Sequence, residues 1–336
     1  MDRFIHLVLG KMRGDAEIVE SSIHLSKARQ KDEHMFPNGA EFALSLTFDI
    51  EMTPNFPYWT SKWNHRKGEI DEGTKLYLRR MSDIAKGYGV KLQFSLVGRA
   101  LEYPHNHNFN TRVDDAHAVD NHTYTHVNVK AKTIDGLQEV YANAPWRAAG
   151  LTPLEVIRQE IRQTNDAIEE KLGERPQGFR TPGGFDGGLD DVPDVQDVLK
   201  DEGFRFASAN YHYPVDHTVR HHPTEALEAA FGTSLNKLQP YRYPNGLLEI
   251  PLMGITSIWA FRHMDLDRWE FIDLIKAGVD HAHANRQIFS LCCHPSDIAA
   301  RDPHCDMVDA VLRHALDKPG GCWATSNREI ADHLNN

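Results

Sequence analysis

"TPLEVIRQEIRQTNDAIEEKLGERPQGFR", residues 152–180, reads as a helix that runs into a short strand. Thr152 takes the cap position, Pro153 suits the first turn, and Glu155 completes a capping box. Leu154, Ile157, Ile161, Ile168 and Leu172 fall on one face, and Gly173 ends the helix. The short strand then delivers Arg180. The same alternation recurs on both sides. "FALSLTFDIE" (42–51) is apolar and β-branched or aromatic at most positions, as a strand is. Residues 70–88 carry Tyr77, Met81, Ile84 and Tyr88 at helical spacing. "VKLQFSLVG" (90–98) alternates apolar and polar residues with period two. A weak strand, "HAVDN" (117–121), follows. Further strands are expected at 204–208, 247–252, 288–293 and near Trp323, with helices at about 269–285 and 306–316. Strands alternating with helices imply an α/β fold with a parallel sheet or barrel. No composition shift marks a linker, so residues 41–336 form one domain, and the polar residues 1–40 an N-terminal extension packed on it.

The chain has 336 residues, 40% apolar and 25% charged, the balance of a globular protein with a sizeable core. Its formal charge of −11 comes without any basic block, which argues against nucleic acid or an anionic membrane surface as partner. A homo-oligomer is compatible with this composition. No stretch approaches a membrane span, and "MDRFIHLVLGKMRGD" does not read as a signal peptide. The four cysteines show no metal or disulfide spacing, and Cys292 and Cys293 read as buried thiols in an apolar run. The expected compartment is the cytoplasm.

In such folds chemistry sits at the carboxyl ends of the strands. Asp49 and Glu51, two apart in "TFDIEM", point to the same side of an extended strand. Two carboxylates on one side repel unless a cation or a shared proton relieves them. "NHTYTH" (121–126) spaces His122 and His126 so that one turn can present both to a metal ion. Arg180 in "GFRTPGGF" can pair with a carboxylate, and the glycines that follow let a backbone N–H approach a ligand. His294 in "LCCHPSD" ends an apolar strand, where it can serve as a general acid. A base, metal ligands, an orienting cation and an acid are the parts of a metal-assisted hydrolase.

With these residues in place, the chain resembles the polysaccharide deacetylases of the NodB homology group, carbohydrate esterase family 4, from about Phe42 to Leu334. "SLTFDIE" resembles that family's first motif, "NHTYTH" its second, "FRTPGG" its third and "CCHP" its fifth. The resemblance implies a distorted (β/α)7-type barrel holding one divalent metal ion, usually zinc. It makes His122 and His126 the histidine ligands, Asp49 the catalytic base, Arg180 its tether and His294 the general acid. The Gly183 N–H falls where the family donates to the oxyanion. Three departures stand out. Ile50 replaces a second aspartate, so Glu51 becomes the acidic ligand. The fourth motif, an Asp and Trp pair that supports the acid histidine, is not recognisable around "FASANYHYP". Cys292 stands where a leucine is usual, read as a packing change.

The expected activity is hydrolysis of a non-peptide carbon–nitrogen bond, with deacetylation of an N-acetylated sugar or related N-acyl substrate foremost. Tyr58, Trp59 and Trp63, in the loop after the first strand, are expected to wall the substrate pocket. An allantoinase-like cyclic amide hydrolase and an inactive, metal-bearing carbohydrate-binding protein are the alternatives.

Overall fold

The computed structural model describes residues 36–53, 65–103, 106, 117–213, 215–216 and 219–336. Tyr58, Trp59 and Trp63 lie outside the described residues. Of the expected extension, Phe36–Ala40 are described. Phe36 is buried, its ring 6.3 Å from that of Trp323 and 6.2 Å from that of His333.

Among the described residues, nine strands form one sheet: β1 (Phe42–Ile50), β2 (Gln93–Leu96), β3 (Ala118–Asn121), β4 (Gly178–Phe185), β5 (Phe206–Asn210), β6 (Tyr241–Arg242), β7 (Leu248–Glu249), β8 (Ile288–Cys293) and β9 (Cys322–Ala324). Their order is β6-β7-β5-β4-β3-β2-β1-β8, with β9 paired to β1. Every pairing is parallel except that of β6 with β7. All nine residues of β1 are buried, as expected of a parallel strand covered on both faces. Its Ser45, Thr47 and Asp49 are thus enclosed with its aromatic residues.

The sheet curls until its ends meet. Leu252 bridges to Tyr211 on one side, while Met253 bridges to Leu291 of β8 and its N–H donates to Ser290 O at 2.9 Å. The path β1-β2-β3-β4-β5-β7 therefore returns to β1 through β8, a closed ring of seven parallel strands. This is the expected (β/α)7-type barrel. One junction in it is thin. Among the described residues, β3 and β4 share a single register pair, Asn121↔Phe179, whereas β1 and β8 pair from Ala43↔Ile288 to Phe48↔Cys293.

Seven helices of eight residues or more surround the ring among the described residues: α1 (Glu72–Gly87), α2 (Pro153–Leu172), α3 (Pro193–Asp201), α4 (Thr224–Lys237), α5 (Arg268–Asn285), α6 (Asp306–Leu316) and α7 (Asn327–Asn335). The α2 cap is the expected box: Thr152 accepts from the Glu155 N–H, and Glu155 accepts from the Thr152 N–H at 2.7 Å. Gly173 closes that helix at φ +81°, a conformation that costs most other residues about 1 kcal/mol or more. Ile157, Ile161 and Ile168 are buried beneath it as the spacing predicts. The core falls into two main clusters. The larger joins β1, β2 and β8 to α1, α5 and α6; the smaller joins β4 and β5 to α2 and α3. No described helix is long and apolar enough to cross a membrane.

Candidate active site

The strand ends bring Asp49, Glu51, His122, His126, Arg180 and His294 into one cluster, drawn from β1, β3, β4 and β8. Glu51 is its centre. Its Oε1 lies 3.4 Å from His122 Nε2, 3.1 Å from His126 Nε2 and 3.3 Å from His294 Nε2. Its Oε2 is held by Lys67, a lysine only 3% exposed. The chain places Lys67 there by pairing two short segments: the Gly68 N–H donates to Glu51 O at 2.6 Å and the Thr53 N–H to Glu69 O at 2.7 Å. Lys67 gave no sequence signal, because its partner Glu51 stands 16 positions away in the chain.

The second motif folds as a tight turn directly after β3. The His122 N–H extends the ladder to Leu96 O at 3.1 Å. Asn121 Oδ1 accepts from the Thr123 N–H at 2.8 Å, and Thr123 Oγ1 accepts from the Val127 N–H at 3.0 Å. Thr123 and His126 both adopt left-handed backbone, at φ +58° and +67°. The His122 ring has a fixed tautomer: Nδ1 lies 2.9 Å from Arg180 O, a carbonyl that can only accept. Nδ1 therefore carries a proton, and Nε2 faces Glu51. Burial pushes His126 down to about 4 against the pull of Glu51, so it is a neutral imidazole at neutral pH.

This donor set fits a divalent cation. Glu51, His122 and His126 offer ligand atoms that all lie within 4.8 Å of one another. His126 Nε2 is buried and, despite its closeness to Glu51, makes no hydrogen bond among the described residues. Three ring nitrogens crowd one carboxylate oxygen, an arrangement that a shared cation explains better than three hydrogen bonds do. Glu51 is held well below the usual carboxylate range. Burial pushes it up, but the neighbouring His126 and Lys67 outweigh that. It is ionised, as a ligand must be.

Asp49 points to the same cluster without joining the triad. Arg180 NH1 lies 3.3 Å from Oδ1 and 3.4 Å from Oδ2, while NH2 donates to Thr47 Oγ1 at 2.9 Å. One guanidinium nitrogen thus straddles the carboxylate and another is tied to β1. Burial raises the Asp49 carboxyl, and Arg180, His122 and His294 together bring it below its ordinary value. Its buried Oδ1 has no hydrogen bond among the described residues. Cys292 donates its thiol hydrogen to Oδ2 at 3.2 Å. The substitution of cysteine for leucine is therefore more than packing: its side chain faces the carboxylate expected to act as base. A cysteine one residue from a strand end, on the site-facing side, was the available signal.

His294 ends β8. Its N–H donates to Ser257 Oγ at 2.8 Å, and its Nδ1 lies 3.4 Å from the same hydroxyl. Asp297, one turn on, is buried and paired to Arg262 at 2.6 Å. Burial lowers the His294 imidazolium, but Glu51, Asp49 and Asp297 outweigh it and leave it above the ordinary histidine value. Ser257 answers the missing fourth motif. The residue supporting this histidine is a hydroxyl from the segment after β7, not from "FASANYHYP".

That quoted segment does contribute. Tyr211 packs with Leu252 and Cys292, and from it an aromatic row leads outward. Tyr211 and Tyr213 have centroids 5.0 Å apart, Tyr213 and Trp259 5.0 Å, and Trp259 and His263 4.1 Å. Tyr211 presses on the third motif, where a Cβ on Gly184 would meet its Cβ at 2.5 Å. Gly183 is exposed at φ +80°, with open space where a side chain would stand.

The family model for polysaccharide deacetylase matches residues 69–207. Over that span the chain is similar to the polysaccharide deacetylase family. The match contains His122, His126, Arg180 and Gly183; the ring of strands brings Asp49, Glu51 and His294 to them from outside it. Among solved structures, a probable polysaccharide deacetylase from Pseudomonas aeruginosa PAO1 is similar over 90% of this chain and 94% of its own, at 16% identity and a TM-score of 0.60. The Puue allantoinase is similar over 91% of this chain and 94% of its own, at 16% identity and a TM-score of 0.59. At that identity these are likenesses of fold. No curated protein matches the chain by sequence. The family match supports a hydrolase of carbon–nitrogen amide bonds.

Proposed function

We propose that this protein is a zinc-dependent hydrolase that removes the acyl group from an N-acetylated sugar or a related N-acyl substrate. The observation that carries the reading is the convergence of three imidazole nitrogens on Glu51 Oε1, with Asp49 and Arg180 beside them. Glu51, His122 and His126 would hold the ion. When bound, zinc supplies an acidified water and a polarised carbonyl. Asp49, kept ionised by Arg180, takes a proton from the attacking water. The Gly183 N–H donates to the oxyanion, a role that needs main chain alone. His294, shifted toward its protonated form, gives a proton to the departing nitrogen. An amide requires that step because an amide anion is a very poor leaving group. The row Tyr211–Tyr213–Trp259 offers aromatic faces that suit the apolar face of a sugar ring.

A cyclic amide or ureide needs the same groups, with acyl and amine halves still joined in the product. The likeness to an allantoinase along most of the chain keeps that class in the screen.

The test is elemental analysis of wild type and His122→Ala, followed by product analysis. About one divalent ion per chain, lost in the variant, is expected. Asp49→Asn should keep the ion and lose turnover. Released acetate identifies a deacetylase, and a ring-opened product the cyclic amidase. An absence of metal after zinc loading would overturn the proposal in favour of an inactive binding protein.

A further inference from the structure

We propose that Glu160 is a positioning residue that sets the geometry of the His122–His126 pair, an inference that rests on the metal reading above. Glu160 lies in α2 and is 3% exposed. Its Oε2 accepts from the Thr125 N–H at 2.6 Å, and its Oε1 accepts from the Thr125 hydroxyl at 2.8 Å and from the Tyr141 hydroxyl at 2.6 Å. All three donors are neutral. A buried carboxylate without a cation is costly, and burial does raise its carboxyl above the ordinary value. What a carboxylate offers here is two acceptor oxygens on one rigid group. They are used to fix one residue, Thr125, the neighbour of His126.

The turn needs fixing. Thr123 and His126 both sit in the left-handed region, which costs a side-chain-bearing residue about 1–2 kcal/mol each. Relaxing either residue to extended backbone would carry the His126 ring away from Glu51. Glu160 opposes this from the Thr125 N–H and hydroxyl, and Gln138 Nε2 from the Thr125 carbonyl at 2.7 Å. The same helix anchors the start of the turn, where Asn121 Nδ2 donates to Ile161 O at 2.8 Å and to Asn165 Oδ1 at 2.7 Å. Consecutive positions of α2, Glu160 and Ile161, thus grip the turn at Thr125 and Asn121, the residues that immediately precede His126 and His122.

The experiment measures zinc affinity by chelator competition, beside the melting temperature of the metal-free protein, for wild type, Glu160→Ala, Glu160→Gln and Thr125→Val. Loss of a group that orients a metal ligand typically weakens metal binding about 10–100-fold, and that is the expectation for Glu160→Ala. Glu160→Gln should bind within about 3-fold of wild type: its carbonyl takes the Thr125 N–H, and the two hydroxyls rotate to accept from its amide. Thr125→Val, which loses only the hydroxyl bond, should fall between them. A folded Glu160→Ala with wild-type affinity overturns the inference. If that variant does not fold, Thr125→Val decides, and an unchanged affinity there overturns it equally. A glutamine variant as weak as the alanine one also refutes the geometric role, since charge would then be the cause. A wild type that binds no zinc is a different failure, that of the metal reading itself.

Discussion

Replacing Arg180 with methionine keeps the side-chain length and removes the charge that faces Asp49. Both residues are buried, at 2% and 5% exposure, with the nearest nitrogen–oxygen distance 3.3 Å. At an effective dielectric of about 20 the attraction is about 5 kcal/mol, and breaking a buried pair on one side typically destabilises by about 3–5 kcal/mol. That cost depends on pH in a way that identifies its cause. In the wild type the Asp49 carboxyl lies below its unfolded value, so its stabilising effect is present above that value and is lost as the pH falls through the folded one. Without Arg180 the largest opposing charge is gone and burial dominates. The folded value then lies above the unfolded one, and stability is lost as the pH rises. The two curves therefore diverge with rising pH. Urea unfolding of metal-free wild type and Arg180→Met at about pH 4.5 and 7.5 should show a gap that is smaller at the lower pH and about 3–5 kcal/mol at the higher pH. A gap of the same size at both would refute the argument, since a packing defect titrates nothing.

Three further outcomes are expected. Glu249 is buried, accepts from the Ala209 and Asn210 N–H groups and from Tyr243, and is pushed up to about 7 by burial. It should therefore subtract stability as the pH rises from about 4.5 through 7, on the order of 3 kcal/mol, and urea unfolding of Glu249→Gln should lack that slope relative to wild type. Gly183→Ala has room for its methyl group but inherits φ +80°; thermal melts should register a loss of about 1–2 kcal/mol. Cys292→Ala removes the thiol donor to Asp49 and should lower kcat roughly 5-fold, about 1 kcal/mol, with Cys292→Ser close to wild type. Equal turnover in alanine and serine variants would show that the thiol only fills space.

Legibility in the sequence followed the physics of each element. β1 and β8 are apolar runs bounded by polar strand ends, and α2 carries both its cap and its stripe, so each was readable to within a residue or two. Helix α4 was missed because its sequence, rich in alanine, has a glycine in its interior, Gly232; a Cβ there would meet His281 Nδ1 at 2.8 Å, so packing chose the residue against helix propensity. α3 spans only Pro193–Asp201, too short for a sustained period. At the site, residues that follow strand ends could be found because strand ends are where such folds place chemistry. Lys67, Ser257 and Cys292 act on them from the side. Their roles follow from three-dimensional neighbours 16, 37 and 243 positions away in the chain, which no local pattern encodes. Glu160 was visible as a polar residue on the apolar face of α2, but its partner was not.

The thin junction between β3 and β4 separates two slabs of the ring, with most of the larger core against one and most of the smaller core against the other. Glu51, His122, His126 and His294 all belong to the slab of β1, β2, β3 and β8, whereas Arg180 and Gly183 belong to that of β4 and β5. The residues expected to hold the metal thus come from one part of the sheet, and the groups expected to tether the base and receive the oxyanion arrive from the other. Three polar links span the gap at the site among the described residues: the Asp49–Arg180 pair, the bond from Arg180 to Thr47 Oγ1 and the bond from His122 Nδ1 to Arg180 O. Arg180 is in this sense a bolt through a joint. Its main chain registers the second slab on His122 and its side chain registers it on Asp49, so any slip between the halves is felt by both groups at once.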